Sequence, residues 1–290
     1  VTTTVASLVT GALPDLAPQV ACLAGLVEAG DLAGIHLEGP WLAPGQKGAH
    51  PPDLLGDPRP DAIRALLEAG RGTIRMVTIA PELPGAPAAI RLFADEGVLA
   101  AIGHTDADYD TCRAAIAAGA RGATHLFNAM APLRHREPGP VLALWEDHRV
   151  GLELILDGVH VRPELVAFVL ATAPGRVLLV TDAMAAAGAS DGHYLLGELA
   201  VEVRGGVARL AGTDTIAGST LTLDRAVANA VAAGVAPAVA VRAATRVPAD
   251  HLGLADVGRL AAGRRADLVV LDPDWQATRV LRAGEWQVVS

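Results

Sequence analysis

The chain has 290 residues, 51% of them hydrophobic and 19% charged, which is the composition of a folded rather than a disordered protein. A net charge of −9 and an aromatic content of 3% exclude a nucleic-acid binder that works through phosphate contacts or base stacking. Two cysteines, Cys22 and Cys112, are too few for a disulfide framework and are expected as buried small hydrophobes. With no apolar run of membrane-spanning length and no basic leader, a cytoplasmic protein without membrane or nucleic-acid partners is expected.

Short β-rich runs alternate with Ala- and Leu-rich helical runs. Residues 1–9 read as a strand and 18–29 as a helix. A short strand at 33–36 runs into Leu37, Glu38, Gly39 and Pro40. Helices at 61–68, 88–96 and 109–118 alternate with strands at 75–79, 99–102 and 123–127. A strand at 152–156, a helix at 163–171 and a strand at 176–180 continue the series. These seven strands, each followed by a crossover segment, predict parallel βα units. After Asp182 the pattern changes to a hairpin at about 195–212, helices at 222–233 and 237–245, and tail strands at 266–271 and 277–289.

Five residues able to do chemistry, Glu38, His104, His125, His160 and Asp182, each lie at or just past the end of a strand. In a parallel β/α barrel that is the face where active sites form. Glu38, His104 and His125 offer one carboxylate oxygen and two imidazole nitrogens, a donor set for Zn²⁺ or a comparable divalent ion such as Fe²⁺, with a position left open for water. Asp182 is the remaining carboxylate, for moving a proton or for capping a loop. His160 either orients a polar substrate group or closes its own loop. Arg136 offers a fork to a phosphate, or an ion pair to Glu137. The segment Thr215 to Ser219, with Ile216, is a weak candidate for a substrate contact. The chain's one lysine, Lys47, lies in a Gly-rich loop, which disfavours a lysine-bridged pair of metals.

The motifs HLEGP (36–40), KGAH (47–50), APE (80–82), GHT (103–105), GATHLFNAM (122–130), REPG (136–139), DGVH (157–160), TDAM (181–184), IAGS (216–219) and GRLAAGRRADLVVLD (258–272) run in order along nearly the whole chain. Together they resemble the N-acetylglucosamine-6-phosphate deacetylases of the metal-dependent amidohydrolase superfamily. The resemblance implies a TIM-like (β/α)8 barrel over residues 1–257, and part of a small β-sandwich over 258–290. Members of that family begin further upstream, so a truncated chain lacking the first barrel strand is expected. The implied metal ligands are Glu38, His104 and His125, with His36 behind them rather than among them. Asp182 is the implied acid and base. His50, Asn128, Ala129, His160 and Ile216 are implied in holding the sugar. Arg136 is implied at the phosphate, reaching the neighbouring site of a homodimer. The implied reaction is hydrolysis of N-acetylglucosamine 6-phosphate to glucosamine 6-phosphate and acetate. Other metal-dependent amidohydrolase reactions, namely cyclic-amide hydrolysis and deamination, remain open, as does an inactive scaffold.

Overall fold

A computed structural model of the chain describes residues 1–288. The chain divides into two compact units, residues 4–152 and residues 1–3 together with 153 onward. The first unit runs β1 (Val5–Val9), α1 (Leu13–Glu28), β2 (Gly34–Glu38), α2 (Pro60–Gly70), β3 (Ile74–Ile79), α3 (Ala86–Asp95), β4 (Leu99–Ile102), α4 (Tyr109–Ala118), β5 (Gly122–Ala123) and α5 (Gly139–Glu146), and enters β6 (Gly151–Ile155). Each strand from β1 to β6 pairs with the next in parallel. Parallel pairing needs a crossover between partners, and the intervening helices supply it.

The strands are mostly apolar because both faces are covered; every residue of β2 is buried, including His36 and Glu38. The helices turn one stripe inward. In α3 the buried residues are Ala86, Ala89, Ile90 and Phe93, the spacing of a single helix face. Helix starts are marked chemically. Proline occupies the first turn of α1, α2, α3 and α5, where its missing N–H costs nothing. Asp108 caps α4 by accepting from the amide of Thr111 at 2.7 Å.

The second unit contains the end of β6, α6 (Pro163–Thr172), β7 (Val177–Val180), β8 (Gly192–Leu196), β9 (Leu199–Arg204), β10 (Val207–Leu210), α7 (Leu223–Ala232), α8 (Pro237–Ala243), α9 (Arg246–His251), β11 (Leu268–Leu271), β12 (Ala277–Arg282) and β13 (Glu285–Gln287). Strands β1 to β7 follow one another in chain order within one seven-stranded sheet. Two antiparallel sheets of three strands follow, ordered β10-β9-β8 and β11-β12-β13. The latter is thinly covered, with Val269 and Val270 about two-fifths exposed and Trp286 half exposed. The Arg279 guanidinium lies over the Trp286 ring at 3.8 Å.

Several elements differ from the sequence reading. Helix α1 starts five residues before Pro18, which falls in its second turn. The strand expected over 123–127 stops at Ala123, because His125 and Phe127 take left-handed backbone angles that no strand accommodates. Its apolar residues Leu126 and Phe127 imitate a strand while building a turn. The hairpin has a third strand, β8, ahead of it. The long tail strand breaks at Ala283 and Gly284, both left-handed, into β12 and β13, and its expected last residue, Val289, lies outside the described residues. Helices α5 and α9 were not expected. Cys112 is buried as expected, but Cys22 is exposed on α1.

Trp41, in the loop after β2, packs on Phe93 of α3 with ring centroids 5.5 Å apart. Both side chains are buried. Phe93→Ala should therefore cost about 3–5 kcal/mol of unfolding free energy, measured by denaturant titration. Leu133→Ala, at a half-exposed position, should change stability by less than about 0.5 kcal/mol.

Candidate metal centre

Strand β2 ends at Glu38, β4 is followed by Gly103 and His104, and β5 by Thr124 and His125. Parallel strands deliver these three side chains to one end of the first unit. Glu38 Oε1 lies 3.2 Å from His104 Nε2 and 3.1 Å from His125 Nε2, and the two Nε2 atoms are 3.0 Å apart. All three residues are buried.

Hydrogen-bond chemistry decides what this triangle can hold. His104 Nδ1 faces the carbonyl oxygen of Gln46 at 2.7 Å, so Nδ1 carries the proton and donates it. In the neutral ring Nε2 is then a lone pair pointing at a carboxylate. Lone pairs facing one another at 3 Å in a buried site repel unless a proton or a cation bridges them. A divalent ion is the stronger bridge, and it sits about 2.0–2.2 Å from such donors. The residues therefore fit a divalent metal, and the backbone carbonyl that fixes the His104 tautomer is the kind of outer contact metal-binding histidines use. Burial opposes ionisation of Glu38, but positive charge on the His104 and His125 rings, with their Nε2–H groups donating to the carboxylate, outweighs it and holds the carboxyl well below the usual carboxylate range; a cation in the triangle acts in the same direction.

The loops around the triangle are fixed by contacts that sequence reasoning missed. Glu82 accepts from the Thr105 hydroxyl at 2.6 Å and from the Asp106 amide at 2.7 Å, gripping the two residues after His104. Asp106 in turn accepts from the Gln46 side chain at 2.6 Å. Gly45 leaves room for this, since a Cβ there would stand 2.3 Å from Asp106 Oδ2. His104, His125 and Ala129 all have positive φ, a conformation that costs energy outside glycine and gathers at functional sites. No sequence signal marked the carbonyl of Gln46, and Glu82 was visible only as part of the APE motif.

His50 is buried, its ring edge-on to that of His104 with centroids 4.7 Å apart, and its Nδ1 meets the Thr10 hydroxyl at 2.9 Å. Asn128 donates to the carbonyl of His125 at 3.2 Å, so its side chain braces the turn that carries His125. Ala129 continues that turn, and its carbonyl accepts from the amide of Thr105 at 3.0 Å. Arg136 lies on an exposed loop. The ion pair expected with it forms instead between Glu137 and Arg134; among the described residues no salt bridge involves Arg136.

His160, Asp182 and Ile216 belong to the second unit. His160 Nδ1 meets Asp157 Oδ2 at 2.6 Å, and the other carboxylate oxygen accepts the amides of Val159 and His160 at 2.8 Å. Asp157, the first residue of the DGVH motif, sets the ring of His160. Asp182, left-handed at φ 49°, accepts at its carbonyl from the amide of Ser219 at 2.7 Å. The Ser219 hydroxyl donates to the carbonyl of Thr181. The IAGS segment thus lies against the TDAM segment. Gly218, at φ 63°, permits it, because a Cβ there would come within 3.0 Å of the Asp182 carbonyl oxygen. Ile216, half-buried, pairs with Arg209 of β10.

Residues 2–286 match the model of the amidohydrolase family. The chain belongs to that family. This amidohydrolase is 42% identical over 254 residues to the N-acetylgalactosamine-6-phosphate deacetylase of Escherichia coli O157:H7, covering 87% of this chain and 67% of that protein. It is 37% identical to the N-acetylglucosamine-6-phosphate deacetylase of Bos taurus, over 93% of this chain and 69% of that one. The N-acetyl-D-glucosamine-6-phosphate deacetylase of Mycobacterium smegmatis, solved in complex with N-acetyl-D-glucosamine-6-phosphate, is 56% identical. It superposes with a TM-score of 0.96 over 98% of this chain and 76% of that one. The enzyme from Thermotoga maritima is 33% identical with a TM-score of 0.91, over 99% of this chain and 78% of that one. The amidohydrolase thus has the TIM-like fold of its family, and its buried Glu38, His104 and His125 have the donor set of a metal site.

Burial, with smaller effects of the neighbouring charges, pushes the pKa of His50 down from 6.5 to about 4. The folded form keeps His50 neutral where the unfolded chain would protonate it. Its contribution to stability is complete above pH 6.5 and is lost as the pH falls toward 4. His50→Asn, whose amide can keep the Thr10 contact, should flatten the fall in unfolding free energy between pH 6.5 and 4.5, measured by urea titration at stepped pH.

Proposed function

We propose that this amidohydrolase hydrolyses the N-acetyl amide of N-acetylglucosamine 6-phosphate, releasing acetate and glucosamine 6-phosphate. The observation that carries the reading is the Glu38, His104 and His125 triangle with the His104 tautomer fixed by Gln46. It stands in a chain whose relatives are deacetylases of amino-sugar phosphates.

Glu38, His104 and His125 would hold the divalent ion, which we assign as Zn²⁺ from the mixed oxygen and nitrogen donors, with Fe²⁺ the alternative. Bound there, such an ion acidifies water and polarises a carbonyl. Asp182 takes a proton from the attacking water and returns it to the amine nitrogen as the amide C–N bond breaks. His160, its Nδ1 turned to Asp157, presents Nε2 to the sugar and, when protonated, to the acetyl oxygen. His50, Asn128, the backbone at Ala129 and the Ile216 segment line the sugar. Arg136 meets the phosphate; its exposure and its freedom from ion pairing among the described residues support this. In a homodimer that arginine serves the neighbouring subunit's site. A sugar phosphate does not cross a bilayer unaided, and this supports a cytoplasmic location.

The Escherichia coli relative favours a second reading, the galacto epimer as substrate. The ratio of kcat/KM for the two N-acetylated sugar phosphates decides between them.

Asp182→Asn should lower kcat by about 10²- to 10⁴-fold with metal content unchanged. Retention of kcat near that of the unaltered enzyme would remove Asp182 from the proton path. Arg136→Ala should raise KM for the phosphorylated sugar about tenfold or more and leave the unphosphorylated sugar unaffected. Equal losses on both sugars would remove the arginine from the phosphate.

A further inference from the structure

A row of hydroxyls and one imidazole crosses the first unit directly beneath the metal triangle. The Ser7 hydroxyl of β1 meets His36 Nδ1 at 2.9 Å. His36 Nε2 meets the Thr78 hydroxyl of β3 at 2.7 Å. Thr78 meets the Thr124 hydroxyl, just past β5, at 2.7 Å. Thr78 is fully buried, and Thr124 and His36 nearly so.

The row has two attachments to the triangle. His36 stands two residues before Glu38 on β2, so both side chains leave the same face of that strand. Thr124 immediately precedes His125. Its contact with Thr78 is unusual, because β4 lies between β3 and β5. Next-nearest strands lie about 9–10 Å apart, twice the strand spacing, too far for two threonines to meet over an ordinary side chain. Gly103, between them, makes the meeting possible. A Cβ at residue 103 would stand 2.8 Å from Thr124 Cβ and 2.9 Å from Thr78 Cγ2. The glycine of the GHT motif is thus the gap through which the two hydroxyls touch.

We propose that the Thr78–Thr124 contact through the Gly103 gap, tied to β2 by His36, is the positioning element that sets the distance between Glu38 and His125 for the divalent ion. All three contacts can be satisfied in one direction. If Ser7 donates to His36, His36 donates to Thr78 and Thr78 to Thr124; the reverse order also satisfies all three, and in each case the last hydroxyl keeps its own proton for a donation outside the row. Thr78 is not one of the three donors of the triangle; its hydroxyl meets His36 and Thr124. It acts through the strands it joins, as the outer partners of metal sites do.

This inference rests on the metal reading of the site, and the experiment separates the two. Zinc affinity is measured by competition with a chromophoric chelator for the unaltered protein and for Thr78→Val, Thr78→Ser, Thr124→Val and the double valine variant. Thermal unfolding of each metal-free protein is followed alongside. Valine keeps the shape of threonine and removes the hydroxyl. Thr78→Val is expected to weaken zinc binding by about 10- to 100-fold, with Thr78→Ser close to the unaltered protein. Thr124→Val should give a loss of similar size, and the double variant no more than the larger single loss, because both remove one contact. If Thr78→Val does not fold, Thr124→Val against Thr124→Ser carries the same comparison. Unchanged zinc affinity with a lowered metal-free melting temperature would make the row ordinary packing and overturn the proposal. Additive losses in the double variant would overturn it as well. If the unaltered protein binds no divalent ion, the metal reading falls and takes this one with it.

Discussion

Three electron-rich atoms held within 3.2 Å of one another set the terms for the rest of the first unit. A carboxylate oxygen and two ring nitrogens repel at that separation, and burial removes the water that would screen them. A fold keeps such an arrangement only if the positions are over-determined and a proton or a cation bridges the donors. The over-determination is visible in the contacts. Gln46 holds the far side of the His104 ring, Glu82 grips the two residues after His104, and Asn128 braces the turn behind His125. None of these contacts carries charge to a substrate; each removes a degree of freedom from a donor atom.

The parallel sheet is what makes the convergence affordable in so short a set of loops. All strands from β1 to β6 point the same way, so one end of the sheet collects every strand-to-helix turn. The central strands are mostly apolar and buried, while the turns are free to carry chemistry. The site is thus built from residues separated by tens of positions without any long excursion of the chain.

Much of this was legible in the sequence. Seven apolar runs with crossover segments gave the parallel strands, and polar residues at the run ends gave Glu38, His104 and His125. What stayed hidden has identifiable causes. The turn at 124–127 carries Leu126 and Phe127, whose apolar character reads as strand, while left-handed backbone angles leave no mark in composition. The role of Gln46 lies in its carbonyl, which every residue possesses. The meeting of Thr78 and Thr124 depends on the absence of a side chain at Gly103, and is invisible without the lateral order of the strands. Helix α5 follows a Pro-rich stretch that masked its start. The residues themselves left two readings each for Asp182, His160 and Arg136, and motif resemblance chose between them.

The left-handed backbone at His104, His125 and Asp182 sets a limit on how this protein can be improved. Each such residue with a side chain carries strain of about 1 kcal/mol or more that glycine would not. A search for thermostable variants that scores folding alone will be drawn to glycine at these three positions. It would gain robustness there by deleting two ring nitrogens and a carboxylate. Selection for durability and selection for chemistry pull in opposite directions at these positions. Stabilising changes belong instead on exposed helix faces and in the thinly covered sheet of β11, β12 and β13.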